Sequence, residues 1–326
     1  MHWTKVDGTG SILHLWFLGA ILTNLLELYV KLGGLVLVGF ILGRKLPVTV
    51  PTRLGQFLFW VGVPISIVSF LRQSSLSGQI WIAPAFAYLA ILLGGFLAWL
   101  GIKAQAYFKN TVPQPPTQAS LILAAMLGNT GYLGFPITLA ILGKEYFAWA
   151  LFYDLLGSFP GAYGLGVLIA ARFGGGVHNR WQIIKAILIN PALWSFGFGL
   201  LVREATIPTV VEFCLEKFAW SSVALSLVLI GMRLGLLKSW RSLPQALMSL
   251  GIKMLLVPLI LGSILPLFGL TGSTAKVIIL QMAMPPAFGT LVIAETFNLD
   301  RDLAVTAVAA GAILLLLTLP VWLWLF

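Results

Sequence analysis

The stretch GNTGYLGFP, residues 128–136, interrupts what otherwise reads as one membrane-crossing helix, LILAAMLGNTGYLGFPITLAIL, residues 121–142. Three glycines, an Asn, a Thr and a Pro fall where lipid would surround the backbone. A helix that stops there bares N–H groups on one half and C=O groups on the other. Hydrocarbon satisfies neither, so such a break survives only where protein buries it or where it lines a wet cavity. Gly permits unusual backbone angles, and Pro removes a donor and blocks helix continuation. Taken alone, the interruption reads as a kinked span, since both residues are common in membrane helices.

The rest of the chain makes lipid the solvent. Of 326 residues, 59% are hydrophobic and 9% are charged, and the mean hydropathy is +0.99. A water-soluble protein of this size cannot hide that much apolar surface. At ~20 apolar residues per crossing, the sequence predicts about ten spans: 24–43, 53–71, 80–102, 118–142, 146–171, 182–202, 218–236, 243–266, 274–295 and 302–325. The polar connection 103–117 is too short to fold by itself. Residues 1–23 read as an interfacial lead-in rather than a cleaved signal peptide, because Asp7 offsets Lys5 and no small-x-small site follows. The single cysteine, Cys214, excludes an internal disulfide. Three scattered histidines, His2, His14 and His178, exclude a His-rich metal site, and no cofactor is expected.

Net charge is +10. One set of alternate loops holds Arg44, Lys45, Arg53, Lys103, Lys109, Arg172, Arg180, Lys185, Arg233, Lys238, Arg241 and Arg301. The other set holds Lys5, Arg72, Lys144, Arg203, Lys217 and Lys276. The positive-inside rule places the richer set in the cytoplasm and both termini outside, in a multi-pass protein of the plasma (inner) membrane. These basic residues read as topology signals and lipid-headgroup contacts, not as a nucleic-acid patch.

Ten spans invite a search for two halves. GNTGYLGFPITLAILGKEYFAWALFYD leads from a broken helix through a polar link into the next span, and MPPAFGTLVIAETFNLDRDLAVTAVAAG does the same. Aligning Gly131 with Pro286 aligns Ala148 with Leu303. Five spans per half, an odd number, would insert the halves in opposite orientations: 24–172 and 182–326, joined by a cytoplasmic linker at 173–181. The fold expected is therefore all-α and membrane-integral, with two inverted five-helix repeats whose broken helices, four and nine, cross. Two crossing breaks put two half-helix N-termini, each partly positive, beside one cavity. With a second break at the matching place, a binding site overtakes the simple kink.

Several stretches, GNTGYLGFPITLAILG, INPALWSFGFGLL, LVLIGMRL, KMLLVPLILG and MAMPPAFGTLVIAETFNLDRDLAVTAV, together resemble the auxin efflux carrier family from about residue 26 to the end. That family includes plant auxin exporters and bacterial transporters associated with malonate and other small carboxylates. The resemblance implies a fold like that of sodium–proton antiporters. Spans one, two, six and seven would form a scaffold and homodimer interface, and spans three to five and eight to ten a moving transport domain. It implies elevator-type export of a small organic anion, such as a carboxylate or an auxin-like acid. The chain departs from the plant carriers in its short linker, and from many bacterial relatives in carrying Gly289, not Asn, shortly after its Pro-Pro-Ala.

The residues expected to meet substrate are Asn129, Thr130, Gly131, Gln281, Pro285, Pro286, Ala287 and Gly289. Asn129 stands first, since its amide can donate to a carboxylate or cap a half-helix. Gln281, one turn before the second break, is expected to face the cavity. Gly128, Gly131, Gly134, Pro136, Pro285 and Pro286 are expected to shape the breaks. Two intramembrane charges are functional suspects. Asp154 is a candidate for proton coupling, although its place about eight residues into span five favours a hydrated outer edge. Lys253, near the middle of span eight, is expected to pair with an acid or with carbonyls. Enzyme motifs such as HExxH, G-x-S-x-G and a Walker loop are missing from the sequence. A non-transporting receptor or assembly subunit of the same fold remains the alternative.

Overall fold

Apart from one isolated backbone bridge, the regular structure is helical across residues 30, 33–110, 112–174, 188–236, 240 and 242–326, the residues that this computed structural model describes. In chain order, α1 covers 33–45, α2 Thr49–Arg72, α3 Ile82–Phe108, α4 Pro115–Met126, α5 Thr130–Leu142 and α6 Lys144–Gly174. There follow α7 Pro191–Leu201, α8 Thr209–Gly235, α9 Leu243–Phe268, α10 Gly272–Met282, α11 Phe288–Thr296 and α12 Arg301–Leu325. Six of these, α2, α3, α6, α8, α9 and α12, are long and apolar enough to cross a membrane. The expected spans four and nine are each two shorter helices, α4 with α5 and α10 with α11, because each is interrupted midway. The lead-in at 1–23 and the linker beyond Gly174 lie outside the described residues.

Proline shapes the long helices from within. The π turns Leu58–Gly62, Thr130–Gly134, Asp154–Ser158 and Ile252–Leu256 each end just before an X-Pro pair. Proline offers no N–H, and its ring crowds the carbonyl four residues back. Widening the helix for one turn relieves that clash. The carbonyls so released need other donors. In α9 the indole Nε1 of Trp322 donates to Met254 O at 3.0 Å, closing one of them from α12.

α1 and α8 cross backbone against backbone. Gly39 and Gly43 face Val228 O and Met232 O, while Gly231 and Gly235 face Val36 O and Phe40 O. Each pair has the four-residue spacing that lets membrane helices approach closely. A Cβ at Gly39, Gly43 or Gly231 would overlap a backbone oxygen. Lipid gives helices no hydrophobic reason to associate, so this close packing is itself a main source of cohesion. α2 packs along both α7 and α8, which completes a group of four helices.

Two clasps close the ends of the structure: one joins this group to the rest, and the other ties α12 to α4. At one end, Lys144 Nζ meets Glu216 Oε1 at 2.7 Å, and Ser75 N donates to Glu145 O at 3.0 Å. Ser74 Oγ lies 2.7 Å from Lys144 O. Arg203 Nη2 donates to Ser74 O at 2.8 Å, and Arg72 donates to Val202 O and Ala205 O. At the other end, Asp300 caps α12 through Leu303 N at 3.0 Å and accepts from Thr117 Oγ1 on α4 at 2.8 Å. The first end carries Arg72, Lys144 and Arg203, and the second carries Arg301. These four described members of the two charge sets therefore lie at separate ends.

Candidate functional site

The two interruptions meet. Leu127 leaves α4 extended (φ −102°, ψ 114°), and Ala287 enters α11 extended (φ −71°, ψ 148°). Asn129 N donates to Pro285 O at 2.7 Å, and Ala287 N donates to Leu127 O at 2.9 Å. Together they make an antiparallel bridge between Gly128 and Pro286. Each break thus satisfies backbone groups of the other, which is what permits both within hydrocarbon depth. The bridge takes a carbonyl from Pro285 and needs no proline nitrogen, so Pro-Pro fits there without loss. Gly311 of α12 backs it closely, since a Cβ there would lie 2.8 Å from Pro285 Cβ.

The first break falls at Leu127–Asn129, upstream of where the glycines and proline suggested. Gly131 and Gly134 lie in the π turn that opens α5, and Pro136 in the first α turn after it. None of the break glycines has positive φ; among the described residues the glycines that do are Gly143, Gly269 and Gly272. Gly128 and Gly134 instead permit close approach. A Cβ on Gly128 would come 3.0 Å from Lys253 Cε, and the Gln281 amide lies directly on Gly134.

A cavity of about 240 Å³ opens at the crossing. Asn129, Thr130, Gly131, Ala287 and Gly289 lie on its wall, together with Asp154. Asn129 is 4% exposed and occupies the N-cap position of α5, yet its side chain makes no capping bond. Its amide, without a hydrogen-bond partner among the described residues, is free for a ligand. Thr130 Oγ1 donates to Asp154 Oδ1. The N-termini of α5 and α11 face the same space and contribute partial positive charge. The free Asn129 amide beside two such termini suits a carboxylate, and the Asp154 carboxylate opposite them suits a proton or a cation.

Not every expected residue reaches this wall. Gln281 is fully buried between α10 and α5, where its Nε2 donates to Thr138 Oγ1 at 3.1 Å; a polar residue one turn from a break can turn to either side, and this one turns to the packing. Pro285 and Pro286 are buried in the bridge, behind the cavity. Asp154 is not at a hydrated edge: the depth of α5 brings Thr130 against it. Lys253 is 2% exposed, and its ammonium lies beside Gly128. Among the described residues no carboxylate lies within 4 Å of it.

One residue on these walls and one beside them, Asn190 and Arg233, escaped the sequence reading. Asn190 caps α7 by accepting from Ala192 N at 2.9 Å, which leaves its amide N–H groups for the cavity. The Asn-Pro pair at 190–191 was the available signal, since Asn before Pro marks a helix start. Arg233 was grouped with the loop charges. Its guanidinium instead sits over the Phe288 ring, 4.3 Å from the centroid.

Comparison with known proteins supplies the context for this geometry. A family profile described as membrane transport protein matches residues 20–323. The chain belongs to that family, the auxin efflux carriers. An uncharacterized transporter of Methanothermobacter thermautotrophicus is 28% identical over 274 residues, spanning 83% of this chain and 87% of its own. A second uncharacterized transporter, from Methanocaldococcus jannaschii, is 28% identical over 287 residues, spanning 83% and 88%. In a membrane transport protein, paired helix breaks around a cavity are where a transported solute would be sought.

Proposed function

We propose that this membrane transport protein is a secondary carrier that exports small organic anions, carboxylates or auxin-like acids, by elevator-type alternating access. The observation that carries the reading is the crossing itself. Two broken helices are bonded backbone to backbone, with an uncapped Asn129 amide and two half-helix N-termini facing one cavity. Ten crossing segments, in two inverted repeats of five, fit this arrangement when α4–α5 and α10–α11 each count as one broken span. The close group α1, α2, α7 and α8 would be the scaffold and homodimer interface, and the remaining helices the moving part. The Lys144–Glu216 clasp would then have to open in each cycle. Asp154, facing Thr130, is the group we assign to proton coupling.

The test is radiolabelled flux in proteoliposomes. A panel that includes malonate and indole-3-acetate is first screened for thermal stabilisation of the purified protein, since a ligand of the folded state raises its melt. Asn129→Ala is expected to reduce flux at least tenfold at an unchanged melting temperature, the scale of one lost hydrogen bond to a charged group, ~1.5–3 kcal/mol. If no carboxylate shifts the melt, the substrate class is wrong. Tight binding with no flux would favour the receptor reading.

A further inference from the structure

A second cavity, about 360 Å³, adjoins the crossing. The first half of α2 and the last turn of α8 form its walls, and it shares Phe59 and Tyr132 with the crossover cavity. Its volume lies in the range of small-molecule sites. Arg233 is the one charged side chain among its described lining residues. A basic residue at a membrane-helix end ordinarily extends outward to the headgroups, but Arg233 turns inward. One face of its guanidinium covers the Phe288 ring, and Nη2 lies against Gly55, where a Cβ would be 3.0 Å away. Among the described residues it has neither a salt bridge nor a hydrogen-bond acceptor. Packing thus fixes the plane of the guanidinium and leaves its N–H edge open, the arrangement that recognises a carboxylate by two parallel bonds.

The rest of the wall suits such a ligand. Gln56 and Tyr132 offer neutral donors, and Phe59 and Trp60 offer flat apolar surface. We propose that this cavity is an entry site for a small organic monoanion with a flat apolar body, whose carboxylate is taken by Arg233 before it passes the Phe59–Tyr132 wall to Asn129. The onward passage rests on the carrier reading; the binding does not. An anionic lipid headgroup carries the same charge, but the wall shared with the crossover cavity favours a soluble anion.

The experiment uses the full-length protein in phosphatidylcholine nanodiscs with 4-fluorobenzoate as probe, its binding read from fluorine NMR line broadening. Neutral 4-fluorobenzamide reports apolar partition alone. Arg233→Gln is expected to weaken 4-fluorobenzoate binding about tenfold or more, the scale of lost charge-assisted bonds, and to leave the benzamide unchanged. Arg233→Lys, which keeps the charge but not the fork, is expected to lose part of the binding, and Asn129→Ala is expected to retain most of it. Gln56→Glu, an exposed position, places an internal carboxylate beside Arg233 and is expected to expel the probe even if Arg233→Gln folds poorly. Unaltered 4-fluorobenzoate binding in Gln56→Glu or Arg233→Gln overturns the site, as does equal binding of the benzamide. Displacement of the probe by phosphatidylglycerol in an Arg233-dependent manner overturns it in favour of a lipid. Arg233-dependent binding without anion flux in the wild type keeps the site and removes the carrier reading. Normal flux with Arg233-independent binding does the reverse.

Discussion

Asn129 holds the N-cap position of α5 and does not cap. A residue type that normally closes a helix start has been left facing a cavity, and its neighbour across the crossing, Gly289, has nothing within 4 Å of where a Cβ would stand. Gly289→Asn is therefore expected to fold like the wild type and to add a second amide to the wall. Carboxylates that bind the crossover cavity should then bind up to about tenfold tighter, as one added hydrogen bond to a charge allows, read from their thermal stabilisation. A lowered melt without ligand would show the space to be occupied. Asp154→Asn removes the wall carboxylate while keeping its shape. It is expected to abolish stimulation of flux by a pH gradient while sparing exchange at equal pH; stimulation that persists would move the coupling elsewhere. Asn129 and Asp154 were legible in the sequence because polar groups in an oily segment are costly and few. Which way each one points was not legible. Gln281 turned to the packing instead of the cavity and Asp154 to the cavity instead of the outer edge, because facing depends on the depth at which two distant helices cross.

At the scale of elements, the breaks were readable as punctuation, whereas the α1–α8 crossing was not. Both of its four-residue glycine spacings stand in the sequence, but the chain has 34 glycines, and spacing alone does not reveal which pairs face each other. Gly231→Leu is expected to lower stability by at least ~1–3 kcal/mol, the usual cost of overpacking, because a backbone oxygen of α1 cannot move aside. Gly33→Leu, with nothing near its Cβ position, should stay within ~0.5 kcal/mol; the comparison is made by melting both in detergent. The Lys144–Glu216 pair is about one-third exposed on each side, 32% and 33%, so it contributes at most ~1 kcal/mol. Glu216→Gln is expected to change the exchange rate by no more than about fivefold, and high salt should reproduce that change in the wild type. A larger effect would mean that the Ser74 and Ser75 backbone contacts also depend on it.

For the whole molecule, composition alone pointed to a helical membrane protein, and Arg72, Lys144 and Arg203 stand at the end opposite Arg301. The orientation across the bilayer can be tested with the native cysteine. Cys214 is exposed on α8, beside Glu216 and Lys217 at the less basic end. A membrane-impermeant maleimide is expected to label it in intact cells; labelling only after lysis would reverse the topology. The bridge at Gly128 and Pro286 has a further meaning for biosynthesis. When residues 115–142 enter the membrane, Asn129 N and Leu127 O have no partners until Pro285 and Ala287 have been made. At ~5–20 residues per second that interval is on the order of ten seconds or more. The first half therefore has to wait in water, in the insertion machinery or against another chain, and a product truncated before residue 285 is expected to be degraded rather than to persist as a half-carrier.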